Sequence, residues 1–163
     1  MSHRPNSRAI ALLVAVLIFG LDQGSKLWVL HAQRLDGSRI VLPGPVNLTL
    51  VFNHSNAFGL APVIGELTRW GLATLNLAVA AILAGMVMRR STSPLSAAGL
   101  GFLIAGAIGN AFDRIRFGAV IDFIDASKLG FVWVFNVADA SIDIGIGLLL
   151  LAALMGRRAQ IQP

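Results

Sequence analysis

The stretch Ala9–Leu30, AIALLVAVLIFGLDQGSKLWVL, decides how the rest of the chain is read. It is apolar for long enough to cross roughly 30 Å of hydrocarbon, which takes about 20 helical residues. Arg4 and Arg8 precede it, as basic residues precede the apolar core of a secretory signal. No small-x-small cleavage site and soluble body follow, however, so the segment is expected to be a retained helix. Three more apolar runs succeed it, at 67–88, 94–112 and 137–156. Composition agrees: 56% of the 163 residues are hydrophobic and 13% charged, where a soluble domain is about 45–50% apolar. One integral membrane domain over residues 1–163 is expected, an all-α fold with four transmembrane helices at 9–30, 67–88, 94–112 and 137–156.

Charge orients the four spans. A net charge of +5 and a pI near 11.4 could suit a nucleic-acid binder. The basic residues are scattered and flank apolar runs instead, so no nucleic-acid partner is expected. Arg4, Arg8, Arg89, Arg90, Arg157 and Arg158 all fall on one side of a four-span frame, with no acid among them. The positive-inside rule makes that side the cytoplasm and puts both termini there. Trp28, Trp70 and Trp133 then map to the outer interface, which indole rings favour.

Two outer segments remain, 31–66 and 113–136. The first holds Arg39-Ile40-Val41-Leu42 and Val46–Phe52, separated by Pro43-Gly44-Pro45, a strand–turn–strand pattern. The second holds Ala119–Ile124 and Phe131–Phe135, both with strand character. A small β-sheet on the outer (periplasmic) face is expected.

Ionisable residues in a span are costly unless paired or facing water, so each is a functional candidate. Asp22 and Lys26 lie one turn apart in the first span; the plainer reading is an i,i+4 ion pair, which could still shape a site. Asn110, Asp113 and Arg114 share a helical face at the outer end of the third span. Arg114 either clamps a carboxylate or headgroup with its planar fork or is a snorkelling anchor; Asp113 reads as structural. Asp122 ends an apolar strand-like run, and Asp139 lies in the first turn of the fourth span, just after Asn136. Both fall at the outer interface. Two carboxylates brought close in a low-dielectric site cannot both ionise. The ionised one can activate water while the protonated one polarises a carbonyl. That is aspartic-peptidase chemistry, although Asp139 could equally serve the helix N-terminus. Asp143, one turn deeper, rivals Asp139 on chemistry alone.

Other chemistries fit less well. The chain has no Cys, which removes thiol catalysis and disulfides. Ser25 and Lys26 are adjacent on a helix and point about 100° apart, unsuited to a dyad. His3, His31 and His54 are dispersed, and no metal site or cofactor is expected. Gly101-x-x-x-Ala105 and Gly145-Ile146-Gly147 read as helix-packing positions. A small membrane transporter or proton relay through Asp22, Lys26, Asp139 and Asp143 is the alternative function. The inner halves of the spans lack ionisable residues to complete such a path.

Taken together, these residues resemble the bacterial lipoprotein signal peptidase family, signal peptidase II. Asp22-Gln23-Gly24-Ser25-Lys26 resembles its D-Q-x-S/T-K box. Gly109-Asn110-Ala111-Phe112-Asp113-Arg114, followed by Gly118-Ala119-Val120-Ile121-Asp122-Phe123, is similar to G-N-x-x-D-R…G-x-V-x-D-F. Phe135-Asn136-Val137-Ala138-Asp139 resembles F-N-x-A-D. The resemblance implies an aspartic endopeptidase of the bacterial inner membrane. It would cleave diacylglyceryl-modified prolipoproteins before the lipidated Cys, with Asp122 and Asp139 catalytic. It favours Asp139 over Asp143, and implies that Asp22, Lys26, Asn53, Asn110, Arg114 and Asn136 bind substrate or shape the site. Partners would be the prolipoprotein and membrane lipid, with the enzyme acting as a monomer. Ser55 and Asn56 depart from the family's N-x-G-x-A/S-F/Y-G/S box, Ser55 replacing a Gly that accepts φ > 0 more readily.

Overall fold

In the computed structural model, residues 6–32, 39–54, 65–89 and 92–161 are described. Four helices dominate: α1 (Ser7–Ala32), α2 (Gly65–Arg89), α3 (Pro94–Phe117) and α4 (Val137–Ile161). Each contains a run long and apolar enough to cross a membrane. Their outward apolar side chains, such as Leu12, Leu17, Ile82 and Leu154, are exposed because lipid rather than protein covers them.

The bundle is built around α3. Of its apolar window 61% is buried, against 17% in each of the other three helices. Small residues allow that centrality. A Cβ on Gly101 would meet the Ala11 carbonyl of α1 at 2.6 Å, and one on Gly106 would meet the Ala138 carbonyl of α4 at 2.5 Å. Backbones therefore approach closely, as packing without a hydrophobic driving force requires. Gly145 does the same against Gly99, whereas Gly147 faces open space and is not a packing position. Ser93 caps α3 by accepting from the Ser96 backbone N–H, with Pro94 at the first helical position. At the other end Gly118 adopts φ 75°, the left-handed conformation that turns the chain from α3 into the sheet.

The sheet has four antiparallel strands in the order β1 (Arg39–Ile40), β2 (Asn47–Asn53), β3 (Val120–Asp125) and β4 (Val134–Phe135). An irregularity between Leu48 and Val51 interrupts the β2–β3 register. Val29 of α1 and Phe123 of β3 join the two layers, with Ile40, Leu48 and Val137 packed around them. The four helices and the small sheet match the fold class expected. Two strands are shorter than their sequences suggested: β1 stops at Ile40, short of Val41 and Leu42, and β4 covers only Val134–Phe135. Gly130, at φ 83°, closes a 3-10 turn over Ser127–Leu129, and Phe131, Val132 and Trp133 follow as exposed loop before β4 pairs. At the opposite end of the bundle, Ser7 donates to the Thr92 carbonyl and Arg8 to that of Met88, tying α1 to the α2–α3 connection.

Candidate active site

Asp122 lies in the middle of β3 with 2% of its surface exposed. Its Oδ2 accepts from Asn53 Nδ2 at 3.0 Å, across the β2–β3 pair. Its Oδ1 accepts from Asn136 Nδ2 at 2.7 Å. Asp139 stands on the first turn of α4, half-buried, and its Oδ1 accepts from Asn110 Nδ2 of α3 at 2.8 Å. The two carboxylates thus hang from one amide network, because Asn136 Nδ2 also donates to Asn110 Oδ1 at 3.3 Å.

Asn136 owes this place to helix capping. Its Oδ1 accepts from the Asp139 backbone N–H at 3.0 Å, and its own N–H donates to Asp139 Oδ2 at 3.3 Å. This is the reciprocal geometry of a capping box, made here by Asn and Asp three residues apart. Asp139 therefore does serve the helix N-terminus, and that service brings it beside Asp122.

Asp122 lies outside the spans. Burial, reinforced by the nearby Asp139 carboxylate, pushes its pKa up to about 6, against the opposing hydrogen bonds from Asn53 and Asn136. Arg114 is buried, which excludes the snorkelling reading. Its Nη1 donates to the Asn110 carbonyl at 3.3 Å, and the charges of Asp139, Asp122 and Asp113 act on it. Asp22 and Lys26 do form the expected ion pair, at 2.7 Å, away from the amide network. Lys26 also pairs with Asp113 at 2.8 Å. A cavity of about 410 Å³ opens beside Asp139, lined by Ala126, Leu129, Phe131, Trp133 and Phe135. Asp143 lines it as well but is exposed and outside the hydrogen-bond network. Ser55 and Asn56 lie outside the described residues. Among the described residues, no group of three His, Asp or Glu side chains is arranged to hold a metal.

Sequence reasoning missed Arg69. From α2 it donates through Nε to the Arg114 carbonyl and through Nη2 to the Ile115 carbonyl, each at 2.7 Å. These belong to the last turn of α3, where backbone carbonyls run short of intrahelical donors; the Arg114 carbonyl also accepts from the Gly118 N–H at 3.1 Å. In sequence, Glu66-x-x-Arg69-Trp70 looks like an ordinary interfacial charge cluster, and nothing in it points at another helix.

The sequence profile of the family described as signal peptidase (SPase) II matches residues 14–155. The lipoprotein signal peptidase of Caulobacter vibrioides is 42% identical over 154 residues, covering 93% of this chain and 90% of that protein. That of Methylobacterium radiotolerans is 41% identical over 161 residues, covering 93% and 91%. Among solved structures, a bacterial membrane enzyme determined by the in meso method at 2.3 Å superposes with a TM-score of 0.78. It is 26% identical and the match covers 93% of this chain and 91% of that one. A second such enzyme, at 1.9 Å, gives 0.76 with 27% identity, covering 88% and 92%.

Proposed function

Since this chain belongs to the signal peptidase II family, we propose that Asp122 and Asp139 are the catalytic pair of a protease of aspartic type. The protein is a multi-pass membrane protease that removes the signal peptide from prolipoproteins. The observation that carries the aspartic reading is the Asn136 amide, bonded to Asp122 through its side chain and to Asp139 through both side chain and backbone. An amide that donates to one carboxylate and caps the helix bearing the other holds both at one point, next to an aromatic-lined cavity.

In the reaction, a water molecule sits between the two carboxyl groups. The ionised one takes its proton as the oxygen attacks the scissile carbonyl carbon, and the protonated one donates to the carbonyl oxygen. Collapse of the tetrahedral intermediate breaks the C–N bond, and the leaving amine takes up a proton from the pair. Asn53, Asn110 and Asn136 orient the carboxylates, and Arg114 supplies positive charge beside them.

The substrate is a prolipoprotein cut before a diacylglyceryl-modified Cys. Its acyl chains remain in lipid while the peptide lies under the sheet, near the exposed Phe131 and Trp133. The chain works as one integral domain, a monomer in the bacterial inner membrane, with the sheet on the periplasmic side and both termini cytoplasmic. Arg8 and Arg89, at the end of the bundle remote from the sheet, support that orientation.

The test is cleavage of a prolipoprotein supplied with and without diacylglycerol, by parent, Asp122→Asn, Asp139→Asn and Asp143→Asn proteins. Only the lipidated form should be cut, and the first two variants should be folded and inactive. Activity surviving in Asp139→Asn would move the second carboxylate to Asp143.

A further inference from the structure

A second polar cluster lies behind the proposed catalytic pair, and no step of the reaction uses it directly. Asp22, Lys26 and Asp113 are all but fully buried. Lys26 Nζ lies 2.7 Å from Asp22 Oδ2 and 2.8 Å from Asp113 Oδ2. Gln23 Nε2 donates to both acids, at 3.0 Å each. Each carboxylate also accepts one backbone N–H from another element. Asp22 Oδ1 takes that of Ala138 at 2.8 Å, and Asp113 Oδ2 takes that of Ile121 at 3.2 Å.

Those two backbone contacts are not arbitrary. Ala138 is the residue immediately before Asp139, and Ile121 is the residue immediately before Asp122. We infer that Asp22 and Asp113, locked together by Lys26, are positioning residues that set the spacing of the catalytic carboxylates by gripping the chain one residue ahead of each. The inference rests on the aspartic reading above. Three buried charges are a poor way merely to glue helices, since apolar side chains of similar volume do so at least as well. What the charges add is direction: a buried carboxylate fixes an N–H at a set distance and angle, which apolar contact does not.

The same geometry explains a glycine. Gly109 of α3 faces the cluster, and a Cβ there would lie 2.6 Å from Asp22 Oδ2 and 3.2 Å from the Ala138 Cβ. Gly109→Ala would push on the Asp22–Ala138 contact while leaving every charge and hydrogen-bonding group in place. It is therefore a clean probe of position.

The experiment compares purified parent, Gly109→Ala, Asp113→Asn, Asp113→Ala and Asp139→Asn proteins on a diacylglyceryl prolipoprotein over about pH 5 to 9. Folded fraction is measured by size exclusion and thermal midpoint, and rates are expressed per folded molecule. For Gly109→Ala, kcat should fall roughly tenfold to a hundredfold with KM changed less than about twofold. Its alkaline limb should move to lower pH. Asp122 is faced by Asp139 from α4, Lys26 from α1 and Arg114 from α3, and only the distance to Asp139 is designed to grow. Asp113→Asn keeps an acceptor for the Ile121 N–H and should retain more kcat than Asp113→Ala, a rescue that a mere loss of stability does not produce. Parent-like kcat and pH limbs in folded Gly109→Ala would overturn the inference. If that variant does not fold, equal kcat per folded molecule in the two Asp113 variants overturns it, and the expected rescue upholds it. Full activity in Asp139→Asn would instead remove Asp139 from the catalytic pair, the assignment on which the inference rests.

Discussion

Asn136 shows how much one side chain can determine. Its amide caps α4, donates to Asp122 and donates to Asn110. Ser is about as good an N-cap as Asn, but its hydroxyl is too short to span to Asp122. Asn136→Ser should therefore keep the cap but lose about 1–3 kcal/mol of stability from the buried acceptors left without its amide, while kcat per folded molecule falls by roughly tenfold or more; unchanged turnover per folded molecule would reduce Asn136 to a structural role. Asp122 adds a pH signature. Its pKa is raised to about 6, so the fold favours its protonated form. Stability from this group is present at low pH and is lost as pH rises through about 6. Asp122→Asn should abolish cleavage yet raise thermal stability at pH 8, by on the order of 2 kcal/mol; the comparison is a pair of melting curves at acid and alkaline pH. On the proposed aspartic mechanism turnover needs one proton on the pair, so kcat/KM should decline on the alkaline side near pH 6. The pairing of Asp22 with Lys26 was legible in the sequence because charge in an apolar run must be satisfied. The grip of Asp22 and Asp113 on backbone N–H groups was not, since it depends on how α1 and α3 meet α4 and β3.

At the scale of elements, the helices were readable because lipid demands long apolar runs, whatever packs against them. The sheet was readable only in part. Phe131-Val132-Trp133-Val134-Phe135 alternates like a strand, but its first three residues face outward beyond the turn at Gly130. Lys128 holds that turn by donating to the carbonyls of Leu42 and Gly44, a contact across 84 residues or more that no local pattern announces. Arg69 is the same kind of case. It closes the end of α3 from α2, just before Gly118 directs the chain to β3 and Asp122. Arg69→Met preserves much of the apolar stem and removes both bonds. It should lower stability by about 2 kcal/mol, read as a drop in thermal midpoint, and should lower kcat per folded molecule more than KM changes. A variant with parent stability would show that water, with the Gly118 N–H on the Arg114 carbonyl, satisfies those groups equally well.

For the whole molecule, orientation is the property most open to test. The sequence contains no Cys, so one introduced thiol is a unique reporter. His54→Cys, at the end of β2, should react with a membrane-impermeant maleimide in cells whose outer membrane is permeabilised. Ser93→Cys, exposed at the start of α3, should react only after the inner membrane is opened. The reverse pattern would invert the topology and place the carboxylate pair on the cytoplasmic side. The arrangement of α4 also bears on how a blocking molecule could be resisted. The amide that starts the helix is the amide that binds the carboxylate, so folding and chemistry draw on the same few atoms. An inhibitor that anchors on Asn136 leaves the cell little room for escape, because a substitution that sheds the drug also sheds the first turn of α4 or the alignment of the pair.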